Sequence, residues 1–157
     1  MHTLALDVAL EREHHEIDRA IETFVEGLPD GSARPDLLIA ALETLRRHIY
    51  LEESMLFPPI REAGMTMPIF VMMREHGELW RTMDALATLL AGDADIGSLE
   101  DACGLLLAQL HQHNSKEEPI VYSHIDTDLP AQARAELSRF LETGQMPDGW
   151  LCRHAGE

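Results

Sequence analysis

Two glutamates and four histidines stand where a helix-forming chain would be expected to carry leucine, and nothing else in the sequence restricts the fold as much. The pairs His48-Ile-Tyr-Leu-Glu52 and His113-Asn-Ser-Lys-Glu117 each set a carboxylate four residues after an imidazole. Residues four apart stack on one face of an α-helix, so each pair can aim a nitrogen and an oxygen at one point. His14 and His76 lie on the apolar stripes of two further segments. A carboxylate inside a helical core is heavily penalised unless it is paired, hydrogen-bonded or bound to a metal. The chain therefore needs a fold that gathers these six groups, and a cage for two metal ions satisfies all of them.

The apolar spacing is helical in four long segments. The first carries Leu6, Leu10, His14, Ile17, Ile21, Phe24 and Leu28 and ends at Pro29-Asp-Gly. The second opens after Ser32-Ala-Arg-Pro35, with proline in the first turn, and runs through Leu38, Ala41, Leu45, His48, Glu52 and Met55. Pro58 and Pro59 are expected to kink or stop it near Phe57. The third begins around Pro68 and uses Met72, His76, Leu79, Met83 and Leu90 before Gly92-Asp-Ala-Asp. Ser98 is the expected N-cap of the fourth, with Asp101 in the capping-box position. That helix presents Ala102, Leu106, Leu110, His113, Glu117 and Ile120. A shorter helix is expected from Pro130 to about Phe140, followed by a loosely held tail from Gly144.

No strand-like alternation competes with this pattern. Four helices joined by short loops predict an all-α, up-down-up-down four-helix bundle with a short C-terminal extra helix. The chain of 157 residues suffices for one core, so residues 1–143 are assigned to the bundle domain and 144–157 to the tail. The halves echo one another: Glu13-His14-His-Glu-Ile17 resembles Glu75-His76-Gly-Glu-Leu79, and His48-x-x-x-Glu-Glu53 resembles His113-x-x-x-Glu-Glu118.

Spacing offers an independent check. If the chain reverses near residues 30, 64 and 95, His14 and His48 lie about 16 and 18 residues either side of the first turn. The midpoint of His48 and Glu52 and His76 lie about 14 and 12 residues either side of the second. His76 and His113 lie about 19 and 18 residues either side of the third, and at about 1.5 Å of rise per residue all mismatches amount to a few ångströms. All six groups should fall at one level of the bundle.

Charge narrows the partners. With 28 acidic against 12 basic side chains the formal net charge is -16, which leaves no cationic footprint for nucleic acid or for an anionic membrane. No apolar run approaches the length of a membrane span; Leu105-Leu106-Leu107-Ala108, for example, is soon broken by Gln109 and His111. The N-terminal stretch Met1-His-Thr-Leu-Ala-Leu-Asp-Val lacks the basic start and apolar run of a signal peptide, so a cytoplasmic location is expected. Cys103 and Cys152 fall outside any Cys-x-x-Cys spacing, which argues against a disulfide scaffold and against thiolate zinc sites. Imidazole and carboxylate without thiolate suit iron or manganese best, with zinc after them.

These stretches resemble the hemerythrin-like, or HHE cation-binding, family. The resemblance rests on Glu13-His14-His-Glu-Ile17, His48-Ile-Tyr-Leu-Glu52-Glu-Ser-Met-Leu-Phe-Pro58, Arg74-Glu-His76-Gly-Glu-Leu79 and His113-Asn-Ser-Lys-Glu117-Glu-Pro-Ile-Val-Tyr122, and it covers roughly residues 5 to 142. It implies a six-ligand, non-heme di-iron centre with an oxo or hydroxo bridge. His14, His48, His76 and His113 would be terminal ligands, and Glu52 and Glu117 would bridge. The family's oxygen carriers have a second histidine four residues after the one matching His76, where this chain has Trp80. The pattern is closer to the di-iron proteins linked to nitric-oxide stress and repair of iron–sulfur centres.

The remaining residues carry smaller expectations. His15 is expected in solvent beside Asp18, Arg19 and Glu22, and Glu53 and Glu118 outside the ligand set. Trp80, Met72, Met83 and Phe57 read first as core. Tyr50 and Tyr122 read either as hydrogen-bond donors to the site or as surface residues, and His124 and Cys103 as packing rather than site residues. The leading function is a redox-active di-iron protein that binds or converts O2, NO or peroxide, drawing electrons from a redox partner protein. The alternative is a non-catalytic oxygen or iron sensor acting through a partner, and a structural zinc site is a third.

Overall fold

A computed structural model describes residues 5–157; the first residues of the N-terminal stretch read for a signal, and His2, lie outside that range. Among the described residues the chain is all-helical. Helix α1 (Leu6–Gly27) is followed by α2 (Pro35–Leu51), which passes through a π-helical turn (Glu52–Leu56) into α3 (Phe57–Glu62). Next come α4 (Thr66–Ala91) and α5 (Ile96–Ile120). A 3₁₀ turn (Tyr122–His124) and α6 (Ile125–Asp128) lead to α7 (Ala131–Thr143). No helix among the described residues is long and apolar enough to cross a membrane.

Two local expectations are corrected by backbone hydrogen bonding. Pro58 and Pro59 do not stop the second helix. The π-turn re-pairs the chain so that the Phe57 N–H donates to the Glu52 carbonyl, five residues back, and the prolines fall in the first turn of α3, where an N–H is dispensable. The N-cap of α5 is Asp95, not Ser98: its carboxylate accepts from the Ser98 N–H at 2.9 Å, which starts the helix three residues early.

The four long helices form a ring of contacts, α1 against α2 and α5, and α4 against α2 and α5. Their apolar stripes bury two separate clusters. One contains Ile17, Phe24, Leu45, Trp80, Met83 and Leu106, and the other Leu10, Leu51, Phe57, Met72, Tyr122 and Phe140. On every long helix a histidine stands at the boundary: Leu10 and Ile17 flank His14, and Met73 and Leu79 flank His76. A polar layer thus divides one bundle interior into two apolar halves.

The tail is not loosely held. Trp150 packs edge-on against Tyr50 at 5.0 Å and Trp80 at 5.6 Å, and Cys152 is buried in the first cluster. Arg47 donates to the carbonyls of Phe140 and Gly144, and Arg81 donates to the His154 carbonyl at 2.7 Å. The close approach depends on Gly77, because a Cβ there would stand 2.5 Å from the His154 carbonyl oxygen. A tail with little helical pattern reads as loose in the sequence, yet it can still bury two or three large side chains.

Candidate metal centre

All six sequence-predicted donors reach the polar layer, and none is more than 3 % exposed. His14 comes from α1, His48 from α2, Glu52 from the start of the π-turn, His76 from α4, and His113 and Glu117 from α5. Their ligand-type atoms fall into two groups, each within 4.8 Å: His14, His48, Glu52 and Glu117, and then Glu52, His76, His113 and Glu117. The two glutamates belong to both.

Each histidine turns Nε2 inward and Nδ1 toward a glutamate outside the cage. His14 Nδ1 meets Glu118 at 2.8 Å, His48 Nδ1 meets Glu13 at 2.8 Å, His76 Nδ1 meets Glu53 at 2.7 Å, and His113 Nδ1 meets Glu75 at 2.9 Å. Such a partner fixes the ring and leaves the inner nitrogen free to bind. The pattern repeats between the halves of the chain. The glutamate preceding each first-helix histidine holds the histidine of the next helix, and the glutamate following each inward carboxylate reaches across to His76 or His14. Sequence reasoning set Glu53 and Glu118 outside the ligand set, where the structure finds them, but gave no role to Glu13 or Glu75. The echo Glu13-His14 and Glu75-His76 was the signal that should have exposed them.

The donor set has the chemistry of a cation site. His113 Nε2 and both Glu117 oxygens are buried without a hydrogen-bond partner. Glu117 stands 3.2 Å from His14 Nε2 and 3.3 Å from His113 Nε2, close enough for ion pairing but poorly aligned for hydrogen bonds. Orphaned buried acceptors of this kind are rare in folded proteins and mark a site built for something else. The residues present fit a metal centre.

Without metal, protons take the positive role. Burial opposes charge on His48, but Glu52 and Glu13 outweigh it and raise its pKa to about 10. His113 is likewise opposed by burial yet raised to about 10 by Glu117, Glu75 and Glu52. His76 is raised by Glu52 and Glu53 against the same burial. Burial and the mutual repulsion of the two carboxylates push Glu52 up, but His48 and His76 carry it below its ordinary value. Glu117 is held well below its ordinary value by His113 and His14, despite burial. Protons and metal ions compete for the same lone pairs.

Tyr122, left open between site and surface by the sequence, points into the layer. Its hydroxyl donates to Glu52 Oε2 at 2.6 Å and lies 3.0 Å from His14 Nε2 and 3.1 Å from His48 Nε2. Burial and the charges of Glu117 and Glu52 raise its pKa well above the usual value. Tyr50, in contrast, stacks near Phe140 and Trp150, away from the cage. His15 is exposed, His124 pairs with Asp128, and Cys103 is core, its thiol pushed up to about 11 by burial.

Trp80, four residues after His76, is buried beneath Arg46, whose guanidinium lies 4.5 Å from the ring centroid. An indole N–H is a donor only and cannot ligate a metal. Glu53 has a further hold: its Oε1 accepts from the Arg153 N–H at 3.0 Å, so the docked tail steadies the carboxylate that steadies His76.

A family model described as the hemerythrin HHE cation binding domain matches residues 6–125. No curated protein and no solved structure matches the chain.

Proposed function

The chain belongs to the hemerythrin HHE cation-binding family, and on that premise we propose a non-heme di-iron protein that binds or redox-converts O2, NO or peroxide. His14, His48, His76 and His113 would be the terminal ligands, and Glu52 and Glu117, common to both donor groups, would serve both irons inside an up-down-up-down bundle. One observation carries the reading: two carboxylates with no exposure face four inward imidazole nitrogens, and three of those buried polar atoms have no hydrogen-bond partner.

Iron would supply one-electron redox change and a position for a small ligand. The protein's own part is electrostatic and positional. Two carboxylates in one closed layer neutralise cationic charge that neither apolar cluster could tolerate, and hold both ions at one level. Four glutamates on the outer nitrogens fix each ring and raise its basicity. Trp80 stands four residues after His76, where an additional histidine would ligate, and offers no metal donor, which argues against simple reversible oxygen storage. A cleft of about 280 Å³, lined by Met67, Pro68, Val71, Met72, Ile120 and Val121 and by the side chain of Lys116, adjoins the second apolar cluster, and its mostly apolar wall suits a small uncharged ligand.

Metal analysis of the purified chain tests the reading. Two irons per chain are expected, with Glu52→Ala and Glu117→Ala losing both and an exposed control, His15→Ala, losing none. Unchanged metal in the glutamate variants would defeat the assignment. Turnover of peroxide or NO by the loaded protein identifies an enzyme; saturable binding without turnover identifies a sensor or carrier.

A further inference from the structure

The internal repeat is broken at one inward position. Counting nine residues on from His48 gives Phe57, and nine on from His113 gives Tyr122. Both rings do the same packing: Phe57 stacks on His76 with centroids 5.4 Å apart, and Tyr122 stacks on His14 at 5.5 Å. They differ by one oxygen, and that oxygen is at the cage.

Its surroundings are those of a ligand atom. Metal bonds of about 2.1 Å set neighbouring donors of an octahedral ion about 3.0 Å apart. His14 Nε2 and His48 Nε2 are 3.0 Å apart, and His48 Nε2 lies 3.2 Å from Glu52 Oε2. The Tyr122 oxygen completes that set at 3.0, 3.1 and 2.6 Å from the three. One hydroxyl proton can serve only one of these contacts. Once the two imidazole lone pairs are given to a cation, neither nitrogen can exchange a hydrogen bond with the phenol oxygen, and an oxygen so placed faces the same ion they do.

We propose that Tyr122 is a seventh protein ligand, bound through its oxygen to the metal held by His14 and His48 and absent from the metal held by His76 and His113. As the metal–oxygen bond forms, the phenol O–H breaks and its proton leaves to solvent, as for any ligand that must be deprotonated. The two ions are then inequivalent. The first would have five protein donors and the second four. The inference rests on the di-iron reading above.

The test is resonance Raman and visible absorption of the full chain loaded with ferrous iron and then oxidised, alongside an iron count. The sequence has only two tyrosines, Tyr50 and Tyr122, so the source of a signal can be identified. Phenolate-to-iron charge transfer is expected in the wild type and in Tyr50→Phe, with complete loss in Tyr122→Phe at unchanged iron content. Two irons without phenolate ring modes, or modes that survive Tyr122→Phe, overturn this inference alone. A chain that takes up no iron overturns the di-iron reading and this inference together. If Tyr122→Phe cannot hold iron, Tyr50→Phe grown on ring-deuterated tyrosine decides: shifted phenolate modes support ligation, and their absence overturns it.

Discussion

The two halves of the polar layer share a plan and differ in how firmly they are closed. Around His14 and His48, the tyrosine oxygen enters the cage, and the outer carboxylate Glu118 keeps 28 % of its side-chain surface in solvent. Around His76 and His113, a phenylalanine replaces that tyrosine, and the outer carboxylate Glu53 is only 5 % exposed beneath the docked tail. The residue after the first-helix histidine tells the same story, His15 in solvent on one side and Gly77 under the His154 backbone on the other. A duplicated arrangement supplies equal donor groups, but the environment around each pair is set by whatever else the chain lays across it. One half is completed by an added donor, the other by an added cover.

The largest effect should erase the comparison. Glu117→Ala or Glu52→Ala removes a carboxylate common to both donor groups, and iron content should fall from two per chain toward none, read by elemental analysis. A variant that keeps one tightly bound iron would show the halves to be independent.

Acidity should move metal-loaded and metal-free protein in opposite directions. In the metal-free chain, His48 and His113 carry pKa values raised from 6.5 to about 10. Their stabilisation is fully present below 6.5 and lost as the pH rises through about 10. Glu52 and Glu117 are lowered from 4.5, so their contribution is present above 4.5 and lost as the pH falls through their folded values. The loaded protein needs neutral imidazoles and therefore holds metal more tightly as the pH rises. The gap in melting temperature between the two forms should widen from pH 6.5 to 10. A constant gap would show that the histidines are not ligands.

The outer carboxylates sharpen the contrast between halves. Glu53→Gln should weaken metal affinity by about 10- to 100-fold, the usual range for such partners. Glu118→Gln should cost less, because its partly hydrated carboxylate fixes His14 less firmly. Competition with a chelator measures both, and equal losses would mean the tail adds nothing to Glu53.

The smallest effect concerns the cover itself. Gly77→Ala forces the tail off its track and should destabilise the fold by about 1–3 kcal/mol, the usual result of overpacking. Denaturant unfolding reports the loss, and faster proteolysis after residue 144 locates it. A Gly77→Ala variant with an intact, protected tail would contradict the close approach.

Much of this was legible before any coordinates. Periodicity marked the four long helices, and the misfit of Glu52, Glu117 and four histidines on apolar stripes marked the layer they share. Misreadings came where one residue has two good local options. Ser98 and Asp95 can both cap a helix, and the backbone of α5 chose the earlier one. Pro58 and Pro59 ordinarily end a helix, but a π-turn moved them into a first turn where they do no harm. Glu13 and Glu75 received no role because which carboxylate meets which Nδ1 depends on rotamers and on the neighbouring helix.

Spacing along the chain by itself determined which residues share a helical face and at what height, since the rise and turn of an α-helix are constants of the backbone. Only the packed molecule decided that Tyr122 faces inward while Tyr50 does not, that four glutamates take the outer imidazole nitrogens, and that the last residues close one side. Those outcomes depend on contacts between segments far apart in the chain, where the free energy of burial, rather than local backbone geometry, selects the partner.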